Sequence, residues 1–440
     1  MTTDEKRCEI RGMTPAGLGI GVTESGDRVH VVGGIAGEVL TVRMAGVADG
    51  TPYGVPTGFE RSHPARVEPF CPAFERCMKC PWMAYPLEMQ EALIRRLVER
   101  FLTRLQSSLG IELPELSWTS PELPQRWSGR VRYRYRVHGP GDAEVGFYRP
   151  DRVTIESIDD CAVAAHPLGD ILPTLRSALR EFSLPGTGQI VVSLDDNPDA
   201  TEAVVCIRAD DGHFPDPDWC NTLARSGWPV RGMILQDREY RERFRWGDPT
   251  YLPLGEARTD RPVRATAGLP FEDGPEVTRA VRDTVIGWLE ESERKTRVLE
   301  LFAGVGVFTS ALYERCDFVD AVTTPAWAID DLHANFDTVS KERVRRSYAS
   351  MARGLARPYR KPGGYDLICA WAPRRGAIGL WPTLKEIEAP VLITSHADLL
   401  SNGPDLKRIV AAGYQPTRGK LIYAEPHRGR AELVLWWERR

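Results

Sequence analysis

The segment RVLELFAGVGVFTSAL, residues 297–312, is the feature that most restricts how this chain can fold. It reads as a short apolar strand, a turn containing Gly304 and Gly306, and the start of a helix. Such a turn lets the backbone approach a ligand at the carboxyl end of a strand in a doubly wound sheet. A helix through VTRAVRDTVIGWLEE and the short apolar strands FVDAV, DLICAW and PVLIT alternate around it. Strands separated by helices predict a Rossmann-like parallel α/β domain over residues 266–440.

Two further regions precede this domain, since 440 residues are too many for one ordinary hydrophobic core. Residues 1–66 read as short strands broken by glycines, which predicts a small OB-like β-barrel. Residues 67–265 contain helical segments at 86–108 and 165–183 and several strand-like runs, which predicts a central α+β domain. The fold class is therefore multidomain α/β. The apolar face predicted for the first helix consists of Leu87, Ala92, Leu93, Leu97, Phe101 and Leu105.

Composition indicates a soluble protein of a reducing compartment. The hydrophobic fraction is 42% and the charged fraction 27%, and no apolar run approaches the ~18 residues that a membrane helix needs. The opening MTTDEKRCEI has no apolar core, so we expect no signal peptide, a cytoplasmic location and no membrane partner. The net charge is −4, so any contact with nucleic acid must come from local basic patches.

Three of the nine cysteines fall within ten residues. Cys71, Cys77 and Cys80 have the spacing C-x5-C-x2-C, and three thiolates on one tight loop can converge on a metal. The spacing alone is compatible with an iron–sulfur cluster or with tetrahedral zinc, the fourth ligand coming from elsewhere. Because clustered cysteines of a reducing compartment more often bind metal than form disulfides, a metal centre is predicted here.

The strand RVRYRYRV carries a row of arginines. Alternation along it places Arg130, Arg132, Arg134 and Arg136 on one face and the apolar and aromatic residues on the other. Guanidinium groups offer paired planar donors that suit phosphate oxygens. The competing interpretation is a solvated edge strand whose charges prevent aggregation.

These features together resemble the RNA 5-methyluridine methyltransferases, and the likeness covers nearly the whole chain. That family carries the same three-cysteine spacing, then a Tyr and a Gln (here Tyr85 and Gln90), and a distant fourth cysteine, here Cys161. It also has an arginine-rich strand followed by Gly-Phe-Tyr-Arg, which here ends in Arg149. The resemblance implies a TRAM-like RNA-binding barrel, RNA contact by the arginines, and a monomer whose partner is ribosomal or transfer RNA. The implied ligands of a [4Fe–4S] cluster are Cys71, Cys77, Cys80 and Cys161; Cys206, Cys316 and Cys369 are expected in the core.

The resemblance further implies a class I domain that binds S-adenosyl-L-methionine (AdoMet) beside the glycine turn. In the family an acidic residue at the end of the second strand binds the ribose, and Thr323 stands in its place here. A Gln and an Asn upstream of the preceding helix correspond to Glu272 and Gly274. The cofactor-site residues implied are Glu300, Gly304, Gly306, Thr323 and Glu272.

The catalytic motifs depart from the family pattern at residues that take part in the family's reaction. Carbon-5 of uracil becomes nucleophilic only after a thiolate adds to carbon-6. His396 stands at the position of that cysteine, and Trp371 stands at the aspartate of the family's Asp-Pro-Pro-Arg motif. Glu432, at the position of the general base, is retained. Imidazole suits this addition less well than a soft thiolate, so the sequence argues against standard 5-methyluridine formation.

Three hypotheses follow for the function. The first is an AdoMet-dependent RNA methyltransferase with a relocated nucleophile or a target atom that needs no covalent adduct. The second is a non-catalytic RNA-binding descendant that acts as an RNA chaperone or assembly factor. The third is an iron–sulfur redox or sensing protein. Departures at four separate points of one cavity favour RNA binding over the family's standard catalysis.

Overall fold

The structure is a computed structural model that describes most of the chain. The described residues are 5–120, 125–181, 185–197, 199–211, 221, 223, 225–254, 261–268, 274–293, 296–324, 326–350, 355–360, 362–374, 376–397 and 403–440, with the backbone of 399–402. Among these residues, no helix is both long enough and apolar enough to span a membrane.

The amino-terminal strands close a β-barrel in the order β1-β2-β3-β5-β4, which confirms the predicted small barrel. Apolar residues at alternate strand positions, such as Ile10, Val31 and Leu40, fill its interior. The strands are β1 (Glu5–Met13), β2 (Gly19–Thr23), β3 (Arg28–Val31), β4 (Val39–Ala48) and β5 (Thr51–Arg61).

The central domain is a mixed sheet in the order β13-β12-β11-β10-β7-β8-β9, covered on one side by a helix. Its strands are β7 (Arg130–Gly139), β8 (Asp142–Tyr148), β9 (Ile155–Ser157), β10 (Gly186–Ser193), β11 (Ala203–Ala209), β12 (Val230–Gln236) and β13 (Glu242–Gly247). The helix α2 (Ile171–Leu179) is shorter than the predicted 165–183. A separate ribbon, β14 (Thr250–Tyr251) with β15 (Ala265–Thr266), leads into the C-terminal domain.

The C-terminal domain contains the predicted parallel strands in a sheet of order β18-β17-β16-β19-β20-β22-β21-β6. These strands are β6 (Leu116–Thr119), β16 (Arg297–Leu301), β17 (Phe318–Thr323), β18 (Val344–Tyr348), β19 (Leu367–Ala372), β20 (Val391–His396), β21 (Tyr414–Ile422) and β22 (Glu432–Arg439). The helices are α3 (Pro275–Glu290), α4 (Val307–Arg315), α5 (Ile329–Asn335), α6 (Leu384–Ile387) and α7 (Leu399–Ala411). Cys206, Cys316 and Cys369 are buried, as predicted.

The first helix and strand β6 belong with the C-terminal domain, although they lie inside the predicted central segment. Strand β6 pairs in parallel with β21, and α1 (Leu87–Leu109) packs against α7. The predicted apolar face of α1 was also partly wrong, because Leu97 is 46% exposed. The buried residues are Gln90, Ile94, Val98, Leu102 and Leu105. The buried face therefore includes the polar Gln90 and is rotated relative to the predicted one.

Candidate functional site

The carboxyl ends of the parallel strands β16, β19 and β20 lie side by side at one edge of the C-terminal sheet. Leu301 pairs with Ala370, and Trp371 pairs with Ser395. Strand β22 runs antiparallel to β20, so its first residue, Glu432, lies at the same edge. Ligands of doubly wound sheets bind in the crevice outside this edge. The glycine turn, Trp371 and Glu432 therefore surround one crevice.

The two glycines of the turn have different environments. Both have left-handed backbone angles, with φ of +58° at Gly304 and +100° at Gly306. A Cβ atom at Gly306 would lie 2.6 Å from the Phe336 ring, whereas one at Gly304 would meet no atom of the described residues within 4 Å. Gly306 therefore permits close packing of the turn, and Gly304 leaves its backbone open to a ligand. Phe302 also has a positive φ, +63°, which is a costly conformation of the kind found at functional sites.

The carboxylate of Glu300 is fully buried and satisfied by the protein itself. Thr309 Oγ1 donates a hydrogen bond to Oε2 at 2.6 Å, and Trp371 Nε1 donates to Oε1 at 2.9 Å. The Trp371 indole also stacks on the Phe308 ring, with centroids 4.0 Å apart and planes inclined by 24°. Burial raises the pKa of Glu300 to about 7, although both hydrogen bonds oppose that rise. Sequence reasoning missed the contact between Trp371 and Glu300, because each residue was compared with its own motif.

The other cofactor-site residues implied by the sequence are only partly described. Thr323 is buried, and its Oγ1 donates a hydrogen bond to the carbonyl of Gly304 at 3.0 Å. The Thr323 hydroxyl therefore supports the glycine turn, while its oxygen can still accept a hydrogen bond. Glu272 lies outside the described residues. Gly274 immediately precedes α3, and a Cβ atom there would lie 2.7 Å from the Glu276 carboxylate.

His396 does not contact Glu432 across the crevice. It pairs with Leu433, the residue after Glu432 in β22, and neighbouring strand residues point to opposite faces. The imidazole is fully buried, its Nε2 lies 2.8 Å from Thr394 Oγ1, and the Trp381 ring is 6.3 Å away. Burial lowers the pKa of His396 to about 3, so the ring is neutral. His396 and Glu432 are thus on opposite faces of the sheet.

Ser395 is a side chain that does contact Glu432. Its Oγ donates a hydrogen bond to Glu432 Oε1, and both residues are buried. The alternation of strand β20 could have identified Ser395, because a residue beside His396 must face the other way. The pairing of β20 with β22 was needed to show that this face carries Glu432.

The arginine row lies on the side of the central sheet that faces the glycine turn. Arg132 is in register with Val191, which is in register with Cys206 on the next strand. Val191 and Cys206 pack in one cluster with Val305 and Val307 of the turn. Cross-strand neighbours share a face. The row and the turn are therefore two walls of one interdomain cleft.

An aromatic stack closes one end of this cleft. The Tyr240 ring stacks on Trp327 of the C-terminal domain, with centroids 5.0 Å apart, and the Arg208 guanidinium lies 4.3 Å from the Tyr240 centroid. Crowding in the cleft, together with the charges of Arg130 and Arg208, lowers the pKa of Arg132 to about 10. Within the described part of the chain, Arg132 makes no hydrogen bond or ion pair. No sequence pattern pointed to Arg208, Tyr240 or Trp327.

The remaining arginines of the predicted RNA-binding set have partners within the protein. Arg134 Nη1 lies 3.4 Å from Asp210 Oδ2, and Arg136 Nη2 donates to the carbonyl of Val153 at 3.1 Å. Arg149 Nε donates to Glu156 at 2.9 Å. The opposite face of the strand is buried as predicted, with Val131, Tyr133, Tyr135 and Val137 all in the core.

The four cysteines of the implied metal centre line a single pocket. Cys80 and Cys161 are buried, and burial raises the pKa of the thiols of Cys77, Cys80 and Cys161. Lys79 also lines this pocket, with its Nζ 5.2 Å from the centroid of Phe147. Among the described residues, no three potential ligands converge on a position for a single metal ion. Four thiols around one cavity suit a cluster, because each sulfur then binds a separate iron atom.

A buried hydrogen-bond network joins the cysteine loop to the loop before Glu432. Gln90 Nε2 donates to the carbonyls of Tyr85 and Trp82, at 2.7 and 3.2 Å. Gln90 Oε1 accepts from the backbone N–H of His427 at 2.8 Å and from the Tyr423 hydroxyl at 2.5 Å. Gln90 is thus a structural link between two segments that the sequence analysis treated separately.

The chain is similar to known RNA methyltransferases in sequence and in fold. No protein-family model matches the chain. It is similar to the 23S rRNA (uracil(1939)-C(5))-methyltransferase RlmD of Pseudomonas putida, with 25% identity covering 99% of this chain and 94% of the relative. The RlmD of Halomonas elongata is 24% identical, covering 98% and 88%. The fold is similar to that of the Pyrococcus abyssi tRNA (uracil-54, C5)-methyltransferase in complex with S-adenosyl-L-homocysteine, with 17% identity, a TM-score of 0.68, and 98% and 100% coverage.

Proposed function

The chain belongs to the RNA 5-methyluridine methyltransferase family, and from this premise we propose that it binds structured RNA, ribosomal or transfer, in its interdomain cleft. The observation that carries the proposal is the position of Arg132, which faces the glycine turn without a protein partner among the described residues. Arg132 is exposed on its strand, so its guanidinium is open to a phosphate, which would supply the anion that the described residues do not. The relatives named above act on ribosomal and transfer RNA, which supports the same substrate class.

The C-terminal domain of this chain binds AdoMet beside the glycine turn. The open space at Gly304 supports this assignment, because a ligand can approach the backbone closely there. Gly304 and Gly306 would shape the site, and the Thr323 oxygen would accept a hydrogen bond from a ribose hydroxyl. AdoMet supplies an electrophilic methyl group when it is bound.

The family's thiolate route to carbon-5 of uracil does not operate in this chain. His396 is buried on the face opposite Glu432, and its neutral ring is held beside Thr394. Cys369, the nearest thiol along β19, is fully buried, and burial raises its pKa well above the ordinary value. A thiol in this environment is a poor nucleophile. The main function is therefore RNA binding, as a chaperone or assembly factor would require.

A second candidate function is methyl transfer to an RNA atom that is already nucleophilic. The open space at Gly304 favours it, because a purely structural turn does not need such space. Glu432 would then accept a proton from the target, with Ser395 holding the carboxylate in position. This reaction forms no covalent adduct, so it needs no thiolate.

A [4Fe–4S] cluster held by Cys71, Cys77, Cys80 and Cys161 completes the proposal. The shared pocket and the chemistry of four thiols fit this group. The cluster would join the cysteine loop to the central domain, because Cys161 is distant in sequence from the other three ligands. Gln90 then connects that loop to the segment before Glu432. The role of the cluster is structural.

The test of RNA binding is the double variant Arg132→Ala/Arg134→Ala in the full chain. Its affinity for unmodified total tRNA and for 23S rRNA should fall, and the salt slope of the binding constant should flatten by about 1.5. The matched control is Arg100→Ala/Arg104→Ala on the exposed side of α1, which removes the same charge outside the cleft. If both double variants change the slope equally, the cleft is not the RNA-binding surface.

A further inference from the structure

The interaction between Trp371 and Glu300 bears on how the cofactor site is regulated. We propose that the Trp371 indole occupies the part of the crevice that the methionine end of AdoMet would enter, and so acts as a built-in competitor for the cofactor. This inference rests on the proposed AdoMet site. It adds that the part of the site for the methionine end is covered by a side chain of the protein and opens only when Trp371 moves, whereas the space beside Gly304 is open.

The position of the indole follows from the sheet. Strand β19 lies between β16 and β20, and Trp371 follows the point where β19 pairs with the end of β16. Its side chain extends toward β16, where Nε1 reaches Glu300, and toward the first turn of α4, where the ring stacks on Phe308. The indole therefore covers the crevice between β19 and the glycine turn.

The chemistry of the ligand explains why this position matters. The methionine end of AdoMet carries an ammonium, a carboxylate and a sulfonium. A protein carboxylate is the natural partner of the ammonium, which S-adenosyl-L-homocysteine also carries. Glu300 is the carboxylate of the strand that leads into the turn, and both of its oxygens already accept hydrogen bonds. Because the Trp371 indole lies against Oε1, an ammonium that binds this oxygen must displace the indole or leave its own charge without a partner.

Trp371 is held in place by two separate interactions. Leaving the crevice breaks a hydrogen bond to an acidic group and a close aromatic stack. A ligand that binds only the open arrangement loses affinity in proportion to the small open fraction. Together the two interactions weaken binding of AdoMet about 30-fold or more. Thr323 Oγ1 donates a hydrogen bond to the carbonyl of Gly304, so this backbone group of the turn also has a partner within the protein.

The alternative role for a partly exposed indole in an RNA-binding cleft is a surface on which a nucleobase stacks. The hydrogen bond to Glu300 favours the competitor role, because base stacking uses the ring face and has no need of that carboxylate. The two roles differ in what they predict for RNA. Removing a competitor for AdoMet leaves RNA affinity unchanged, whereas removing a stacking surface lowers it.

The test is calorimetry with S-adenosyl-L-homocysteine on the anaerobically purified full chain and on Trp371→Ala and Trp371→Phe. The Ala variant should bind about 30-fold more tightly than the parent chain. The Phe variant keeps the stack and loses the hydrogen bond, so its affinity should lie between the two. The Phe variant also tests the inference if the Ala variant does not fold. The matched control is Trp288→Phe on α3, where Trp288 makes an edge-to-face contact with Trp436 of β22; this variant should bind like the parent.

Each remaining outcome contradicts the inference in an identifiable way. Equal affinity in the parent and both Trp371 variants would leave the AdoMet site standing and eliminate the competitor. No binding by any of them would eliminate the cofactor site as well, while RNA binding is judged separately from the cleft arginines. Loss of tRNA affinity in Trp371→Ala, with unchanged affinity for S-adenosyl-L-homocysteine, would assign the indole to nucleobase stacking.

Discussion

Glu300 illustrates at the scale of one residue how a carboxylate of the proposed cofactor site affects stability. Its folded pKa of about 7 lies above the ordinary value of 4.5, because burial disfavours the charged form. The folded state therefore binds a proton that the unfolded state releases between these two pH values. The contribution of Glu300 to the free energy of unfolding is highest below about pH 4.5, and it is lost as pH rises through about 7.

The variant Glu300→Gln should remove this pH dependence. We expect the parent chain to lose about 3 kcal/mol of unfolding free energy between pH 4.5 and 8 through this residue, and the variant to lose correspondingly less. Urea unfolding followed by circular dichroism at several pH values measures the difference. Glu88→Gln, in the exposed first turn of α1, is the control and should follow the parent. If the unfolding free energy of Glu300→Gln changed with pH as steeply as that of the parent, Glu300 would not be a buried acid.

The glycine turn shows at the scale of one element how packing and ligand access can be separated. Gly306→Ala places a methyl group against Phe336 in a left-handed backbone and should destabilise the fold by about 3 kcal/mol. Gly304→Ala adds only the backbone strain, about 1 kcal/mol, but fills the open space and should abolish binding of S-adenosyl-L-homocysteine. Thermal unfolding and calorimetry of both variants check this division. Equal losses of stability would contradict it.

The same elements show how far the sequence could predict the structure. The strand, glycine turn and helix at 297–312 were predicted because their patterns are local, and alternation placed the arginines of β7 on one face. The position of His396 relative to Glu432 depends on the register of β20 with β22, which no local pattern contains. The contact of Trp371 with Glu300 joins residues 71 positions apart. The prediction was weakest where the site is assembled from separate strands.

At the scale of the whole molecule, the cysteine loop lies where the three structural units meet. Gly17 of the barrel packs on Trp82, Gln90 bonds to Tyr85 and His427, and Cys161 brings in the central domain. The predicted domain boundaries did not include this meeting of the three units. They assigned α1 and β6 to the central domain, whereas both pack in the C-terminal domain before the central sheet begins. Loss of a metal centre at the four cysteines should therefore destabilise the contacts among all three units as well as the cysteine loop.

The variant Cys161→Ser tests this centre. A site that needs four thiolates loses its metal when one ligand is replaced by a weaker hydroxyl, and the binding energy that stabilises the fold is lost with it. We expect the anaerobically purified variant to lose its iron and its visible absorption, and limited proteolysis to cut the cysteine loop sooner than in the parent. Cys206→Ser is the matched control, because this buried thiol donates to Gln236 Oε1 at 3.3 Å far from the pocket and a hydroxyl can replace it. Full iron content in Cys161→Ser, or one equivalent of zinc in the parent, would exclude a [4Fe–4S] cluster bound by these four cysteines.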